Sequence, residues 1–234
     1  MVKIYGFGNA LMDLEISITD KDLTSLNIKK GSMVHISSQQ KNIWLKKFNK
    51  NIVSKLPGGS IANSLYAAST QNSICAFSCS LGNDQEASSF IEGFDHTSTK
   101  IFHQYSNKPT GVCFIFVTPD GERTMASNLS ANEDLLPSCL DQKVLANCDW
   151  LVFDAFSVCT ENGLKTAKEA LKTARQNNLK VAFGLADINL IRTNLEEINW
   201  IIEQPINLLA GNVAEINLLK KSIELDLDIL CSLG

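Results

Sequence analysis

The chain has 234 residues, 44% of them hydrophobic and 20% charged, with a formal net charge of −4. This composition excludes a disordered chain, which needs low apolar content and high charge. The slight excess of 25 acidic over 21 basic residues argues against a nucleic-acid binder driven by charge. A domain takes roughly 100–200 residues, so one large domain, or one with a small appendage, is expected.

The opening stretch from Met1 to Asn9 carries one lysine and then glycines. It lacks the unbroken run of about 7–15 apolar residues that a secretory signal needs, and no window approaches the roughly 18 apolar residues of a membrane span. Seven cysteines include no Cys-x-x-Cys pair. Most sit in apolar surroundings, as in Gly111-Val112-Cys113-Phe114-Ile115, where a reduced thiol behaves as a small hydrophobe. A reduced, cytoplasmic protein with no membrane partner is expected. His35, His96 and His103 have no metal-ligand spacing among them or to the cysteines.

In chain order, Val2–Phe7 reads as a short buried strand. Leu14, Ile16 and Ile18 then alternate with Glu15, Ser17 and Thr19, the period of a strand with one covered face. Met33–Ser37 is a short partner for it. Pro57-Gly58-Gly59 breaks the chain, and Ser60–Thr70 reads as a helix opening behind the glycines. Ile74–Leu81 is an apolar strand ended by Gly82-Asn83-Asp84. Thr110–Thr118 and Arg123–Asn128 form a hairpin across Pro119-Asp120-Gly121-Glu122, whose proline fixes φ and whose glycine tolerates positive φ. Trp150–Phe156 is strand-like, and Thr160–Gln176 is a helix with Leu164, Ala167, Leu171 and Ala174 on one stripe. Lys180–Leu185 is a strand, Asn194–Glu203 a helix, Ile206–Ala210 a strand, and a last helix starts near Val213. Strands spaced in this way are βαβ units and demand a parallel sheet.

Four segments carry candidate chemistry. Gly6-Phe7-Gly8 resembles the start of a dinucleotide fingerprint, but position 11 is leucine and the next segment alternates like a strand. An oxidoreductase of the Rossmann type is therefore the weakest alternative, and a plain tight turn competes with it. Pro57-Gly58-Gly59-Ser60-Ile61-Ala62-Asn63 allows a ligand close to the backbone at a helix N-terminus. Asn63 lies one turn in, with a donor and an acceptor for a hydroxyl-rich ligand; mere punctuation is the competing reading. Asp13, just after the first strand, suits a vicinal diol as well as a turn cap. Asn212 and Glu215 follow a parallel strand and share one face of a helix start. They suit either a hydrated Mg²⁺ or a simple helix cap. No Gly-Lys-Ser or Gly-Lys-Thr of a P-loop occurs.

Taken in order, Gly8-Asn9-Ala10-Leu11-Met12-Asp13, Gly58-Gly59-Ser60-x-x-Asn63, Ser80-Leu81-Gly82-Asn83-Asp84, Pro109-Thr110-Gly111, Asp120-Gly121-Glu122-Arg123-Thr124 with Asn128, and Asn212-x-x-Glu215 resemble the ribokinase (PfkB) family of carbohydrate and nucleoside kinases. The opening segment is similar to the adenosine-kinase-like branch. The resemblance implies a three-layer α/β/α core in a single domain over 1–234, with a small antiparallel β lid inserted at about 14–37 and 110–128. It implies ATP and Mg²⁺ as cofactors and a small-molecule sugar or nucleoside as partner. A homodimer through the lid is a further arrangement it allows. Asn9, Asp13, Gly58, Gly59, Ser60 and Asn63 match the substrate-binding positions. Asn212, Glu215 and Arg123 match those that organise phosphate and Mg²⁺, with no direct metal ligand. Asp187 matches an acidic position without a role.

One signature departs from the pattern. The family's Asp-Thr-x-Gly-Ala-Gly-Asp run supplies an anion hole at a helix N-terminus and the catalytic base, and nothing like it occurs between Gly211 and Gly234. The sequence stops after one more helix, or at the edge of the next strand, at Leu230–Gly234. Loss of a general base costs about 10²–10⁴ in rate, and loss of oxyanion donors about 10²–10³ more. The expectation is a C-terminally truncated kinase of impaired activity. The alternative is a catalytically inactive sugar- or nucleoside-binding remnant.

Overall fold

The computed structural model describes residues 1–222, which build two sheets joined at one end. Apolar β1 (Lys3–Phe7) runs through a three-residue turn into β2 (Leu11–Ser17). Helix α1 (Asp20–Ser25) starts at Thr19, whose Oγ1 accepts the Asp22 amide, and β3 (Met33–His35) follows. Helix α2 (Ser38–Phe48) is capped by Ser37, β4 (Ile52–Gly58) leads into α3 (Ser60–Thr70), and β5 (Ile74–Gly82) comes next. Asp84 caps α4 (Gln85–Glu92) before β6 (Thr99–Ser106), β7 (Gly111–Val117) and β8 (Arg123–Asn128). Then come α5 (Gln142–Leu145), β9 (Trp150–Asp154), α6 (Ala155–Val158) and α7 (Glu161–Gln176). Last are β10 (Lys180–Gly184), α8 (Ile188–Thr193), α9 (Leu195–Ile202), β11 (Leu208–Ala210) and α10 (Val213–Ser222). Asn72 and Asn178, just past α3 and α7, take φ of 61° and 57°; asparagine tolerates this left-handed conformation at helix ends.

The larger sheet has the order β11-β10-β9-β1-β5-β6, and every pairing in it is parallel. Helices cover both faces. On one face Tyr5 and Phe7 pack with Ala167, Ala170 and Leu171 of α7 in one apolar cluster. On the other face Gly6 admits α3 so closely that a Cβ there would lie 2.7 Å from Leu65 Cδ1. A three-layer α/β/α core results. The segment after Gly8 is strand β2 and not a helix, which overturns the Rossmann reading: the fingerprint needs its glycines at a helix N-terminus.

The second sheet has the order β3-β8-β7-β2-β4 and is mixed. Pairs β2·β4 and β7·β8 run antiparallel, whereas β2·β7 and β3·β8 run parallel. Strands β2 and β7 each follow directly from a strand of the parallel core, β1 and β6, and so leave it in the same direction. Its covered face packs under α2, where the Trp44 ring meets Phe114 and Phe116 edge-on at 5.6 and 5.5 Å.

Seven elements lie where the sequence patterning predicts none: α1, α2, β4, α4, β6, α5 and α8. Strand β4 includes Pro57, which survives because β4 is an edge strand. Helix α2 buries only Lys41, Trp44 and Phe48 among glutamines, asparagines and lysines, so its apolar stripe is thin. The hairpin, α3, α7 and the strands at 150, 180 and 208 fall where the patterning puts them. The expected strand edge at Leu230–Gly234 lies outside the described residues.

Candidate active site

Ligands of open α/β sheets bind outside the carboxyl ends of the strands. Here three adjacent parallel strands, β1, β9 and β10, end at one place. They deliver Asn9, Asp154 and Asp187 to a cavity of about 370 Å³, whose other wall is the open face of the second sheet with Leu11, Asp13, Cys113 and Arg123. The N-terminus of α3 supplies Gly59, Ser60 and Asn63.

Asp13 projects from β2 into this cavity. Burial pushes its carboxyl from 3.8 up to about 6, against the opposing pull of the Arg123 guanidinium. Gly58, paired with Leu11 across β2·β4, lies directly behind it, and a Cβ there would overlap the Asp13 carboxyl. Gly59 takes φ of 112° as the residue before α3, and its missing side chain makes room for the Asn9 carbonyl. Both glycines are therefore demanded by geometry: one lets the carboxylate stand, the other lets the turn after β1 pass close to the helix start.

Asn9 donates from Nδ2 to the Phe156 carbonyl at 3.3 Å. Asn132, 1% exposed, fixes the same turn from behind. Its Oδ1 accepts the Ala10 amide at 2.7 Å, and its Nδ2 donates to the carbonyls of Ala10 and Leu129, each at 2.9 Å. Asp154 ends β9 and is fully enclosed. Its Oδ1 accepts the Ser157 amide at 3.0 Å and the Ser157 hydroxyl at 2.5 Å. Burial raises its pKa, and the hydroxyls of Ser157 and Ser60 pull against that rise. Ala186, with φ of 66°, turns the chain after β10 in a conformation uncommon for alanine. Asp187 then caps α8 by accepting the amides of Asn189 and Leu190.

Asn212 and Glu215 form a reciprocal cap on α10. The Asn212 amide donates to Glu215 Oε2 at 3.0 Å, Asn212 Nδ2 donates to Oε1 at 2.7 Å, and the Glu215 amide donates to Asn212 Oδ1 at 3.0 Å. This is the capping-box arrangement with asparagine as cap. Burial raises the Glu215 pKa, and the negative charge of Asp187 adds to the rise, so Asp187 relates this pair electrostatically to the cavity. Among the described residues, no group of three or more His, Cys, Asp or Glu is placed to hold a metal ion. No helix there is long and apolar enough to cross a membrane.

Of the residues singled out from sequence, Asn9, Asp13, Gly59, Ser60, Asn63 and Arg123 line the cavity. Gly58 stands just behind Asp13, while Asn212 and Glu215 lie off the cavity, beside Asp187. Asp154 and Asn132 were missed. The position of Asp154 at the carboxyl end of an apolar parallel strand was a usable signal; Asn132 had none, because its partner is backbone distant in sequence.

The comparisons with known proteins agree with this architecture. Residues 45–224 match the model of the pfkB family carbohydrate kinases. Guanosine-inosine kinase of Escherichia coli K12 is 22% identical over 224 residues, which cover 91% of this chain and 51% of that protein. The chain thus spans about half the length of the curated relatives it matches. The adenosine kinase structure from Sinorhizobium meliloti superposes with a TM-score of 0.87 at 21% identity, covering 94% of this chain and 68% of that one. Adenosine kinase from Schistosoma mansoni in complex with 2-fluoroadenosine gives 0.83 at 20% identity, over 96% of this chain and 67% of that one. Identities this low establish the fold, and the family match spans well over half of the sequence: the chain belongs to the pfkB family of carbohydrate kinases.

Proposed function

We infer that the cavity binds a nucleoside or sugar and that the protein transfers a phosphoryl group to one of that ligand's hydroxyls. The observation that carries this reading is Asp13, held inside the cavity by the space that Gly58 leaves. An ionised carboxylate so placed accepts two hydrogen bonds from a vicinal diol, while Asn9 and Asn63 offer both donors and acceptors beside it. The relatives, guanosine-inosine kinase and adenosine kinase, favour a nucleoside over a free sugar. Free thiols at six described cysteines favour a reducing, cytoplasmic setting.

ATP, which the family implies, would supply the transferred phosphoryl group, and Mg²⁺ would neutralise its charge. Direct coordination of Mg²⁺ does not fit the described residues: they hold no three-ligand cluster, and both Glu215 oxygens already accept from Asn212. Asp187 and Glu215 would meet a hydrated ion through its water. Arg123, exposed at the start of β8, places a fixed positive charge at the cavity for a phosphate. The second sheet excludes water from the bound hydroxyl.

A second reading is that of a binder without turnover, favoured by a cavity whose wall offers the hydroxyl-binding groups of Asn9, Asp13 and Asn63. Calorimetry with guanosine, inosine, adenosine, ribose and fructose, with and without ATP and Mg²⁺, separates the two. Phosphorylated product identifies the kinase; saturable binding without product identifies the binder. Asp13→Asn should weaken the bound nucleoside by about 10–100-fold, the worth of one or two charge-assisted hydrogen bonds. Unchanged affinity in that variant sinks the diol site.

A further inference from the structure

Side chains alternate across a strand, and β2 uses both of its faces. Asp13 enters the first cavity, whereas Leu14 enters a second cavity of about 360 Å³ on the opposite face of the same sheet. The second cavity lies where α2 and the N-terminus of α4 meet the sheet. Leu14, Leu45, Ile52 and Val112 give it an apolar wall, and Lys41 and Asn42 from α2 face that wall.

Lys41 is the anomaly. It is only 6% exposed, yet its ammonium makes no hydrogen bond and no ion pair among the described residues. Two carboxylates line the same cavity, and both are taken by other donors. Glu86 accepts from Lys55 Nζ at 2.8 Å. Asp84 accepts the Thr110 amide at 2.7 Å, the Thr110 hydroxyl at 2.6 Å and the Ala87 amide at 3.0 Å. Lys41 thus feels Asp84 and Glu86 only as distant charges, while burial drives its pKa down. The stem of Lys41 is buried while its ammonium reaches the solvent of the cavity, so its hydrogen-bonding positions are open to an anion. The side-chain amide of Asn42 adds uncommitted donors beside it, and the volume lies in the range of small-molecule pockets, roughly 300–1,000 Å³.

We propose that this second cavity is a binding site for a small organic anion, with the head paired to Lys41 and an apolar body against Leu14, Leu45, Ile52 and Val112. The anionic head is a carboxylate or a phosphate monoester. The site lies back to back with the first cavity across one sheet and does not depend on what that cavity binds.

The test is a titration of the protein labelled with [ε-¹³C]lysine, using hexanoate, phenyl phosphate and inorganic phosphate as probes. The Lys41 signal is assigned as the one missing from the spectrum of Lys41→Arg. Hexanoate or phenyl phosphate should shift that signal saturably, and inorganic phosphate, lacking the apolar body, should bind about fivefold or more weakly. Tighter hexanoate assigns a carboxylate head, and tighter phenyl phosphate assigns a phosphate monoester. Asn42→Asp, on an exposed position of α2, places a competing carboxylate beside Lys41 and should weaken the better probe about tenfold or more. A Lys41 signal that shows no saturable shift with any probe overturns the site. So does a probe affinity that Asn42→Asp leaves unchanged.

Discussion

Asp13 is kept at a cost to folding. Its carboxyl titrates near 6 in the folded chain against 3.8 ordinarily, so between those values the folded state binds more protons than the unfolded one. Stability therefore falls as pH rises through that window, and above about pH 6 the whole penalty is present, at most about 3 kcal/mol. Asp13→Asn removes the charge and should raise the unfolding free energy at pH 7.5 while changing little at pH 3.5, below both values. Urea titrations at the two pH values check this, and an equal gain at both would show that burial of charge is not the cause. On the proposed reading of Asp13 as a diol acceptor, the same titration predicts that nucleoside affinity of the natural sequence drops below pH 6, as that carboxylate becomes protonated. Gly58→Ala tests the complementary demand. Its Cβ would overlap the Asp13 carboxyl, so the carboxylate must swing away, and ligand affinity should fall about as far as in Asp13→Asn. Retention of full affinity in Gly58→Ala would mean that Asp13 is not held as described.

At the scale of elements, the turn between β1 and β2 depends on one side chain. Asn132 satisfies both the amide and the carbonyl of Ala10, in buried surroundings, and also the half-buried Leu129 carbonyl. Asn132→Leu strands these groups and should cost about 2–4 kcal/mol in chemical denaturation, with a loss of ligand affinity because Asn9 moves with the turn. A cost under about 1 kcal/mol would show that water or a shifted backbone takes over. The cap on α10 is more modest: Asn212→Ala should cost about 1 kcal/mol, whatever Asn212 does for a phosphate. The two cases also show what a sequence reveals. Gly58 and Gly59 were legible because a backbone demand leaves its mark in residue type. Asn212 and Glu215 were legible as a spaced pair, with cap and ion site both open, and the structure makes the cap explicit. Helix α2 and strands β4 and β6 were not legible. Their burial is set by partners far along the chain, such as Phe114 and Phe116 against Trp44, so their own periodicity is weak. Asp154 left a mark only in its position at the end of a parallel strand, since the sheet order alone places it between Asn9 and Asp187.

Over the described residues, most buried apolar side chains fall into two large clusters, with a small third around Leu11, Cys113 and Ile115. One spans β1, β9, β10 and α7; the other joins α3 and β5 to α2 and the covered face of the second sheet. Two hydrogen-bonded ties cross between core and second sheet among the described residues, the Asn132 clamp and the Asp84–Thr110 junction, and the surface Lys55–Glu86 ion pair joins them as well. At the junction the Thr110 hydroxyl donates to Asp84 and also accepts the Gly82 amide at 3.0 Å. Burial works to raise the Asp84 pKa, but the hydrogen bonds from Thr110 and Ala87 outweigh it and hold the carboxyl below its ordinary value. The junction's contribution is present above the ordinary carboxylate range and is lost as pH falls through the lowered value. This layout predicts an order of opening. Amides of β1, β5 and β9, paired on both sides within the core sheet, should exchange slowest. Those of β3 and β4, edge strands of the second sheet, should exchange much faster, because that sheet can loosen at the two ties without dissolving the core. On the proposed reading, a nucleoside in the first cavity would contact both walls at once, so its binding should slow exchange in β2, β4 and β8 while leaving β10 and β11 nearly unchanged. Hydrogen exchange followed by mass spectrometry, with and without guanosine, reads this directly. Protection confined to the core sheet would place the ligand outside the space between the walls, whereas protection spread evenly over all eleven described strands would reflect a general gain in stability with no closure of the second sheet.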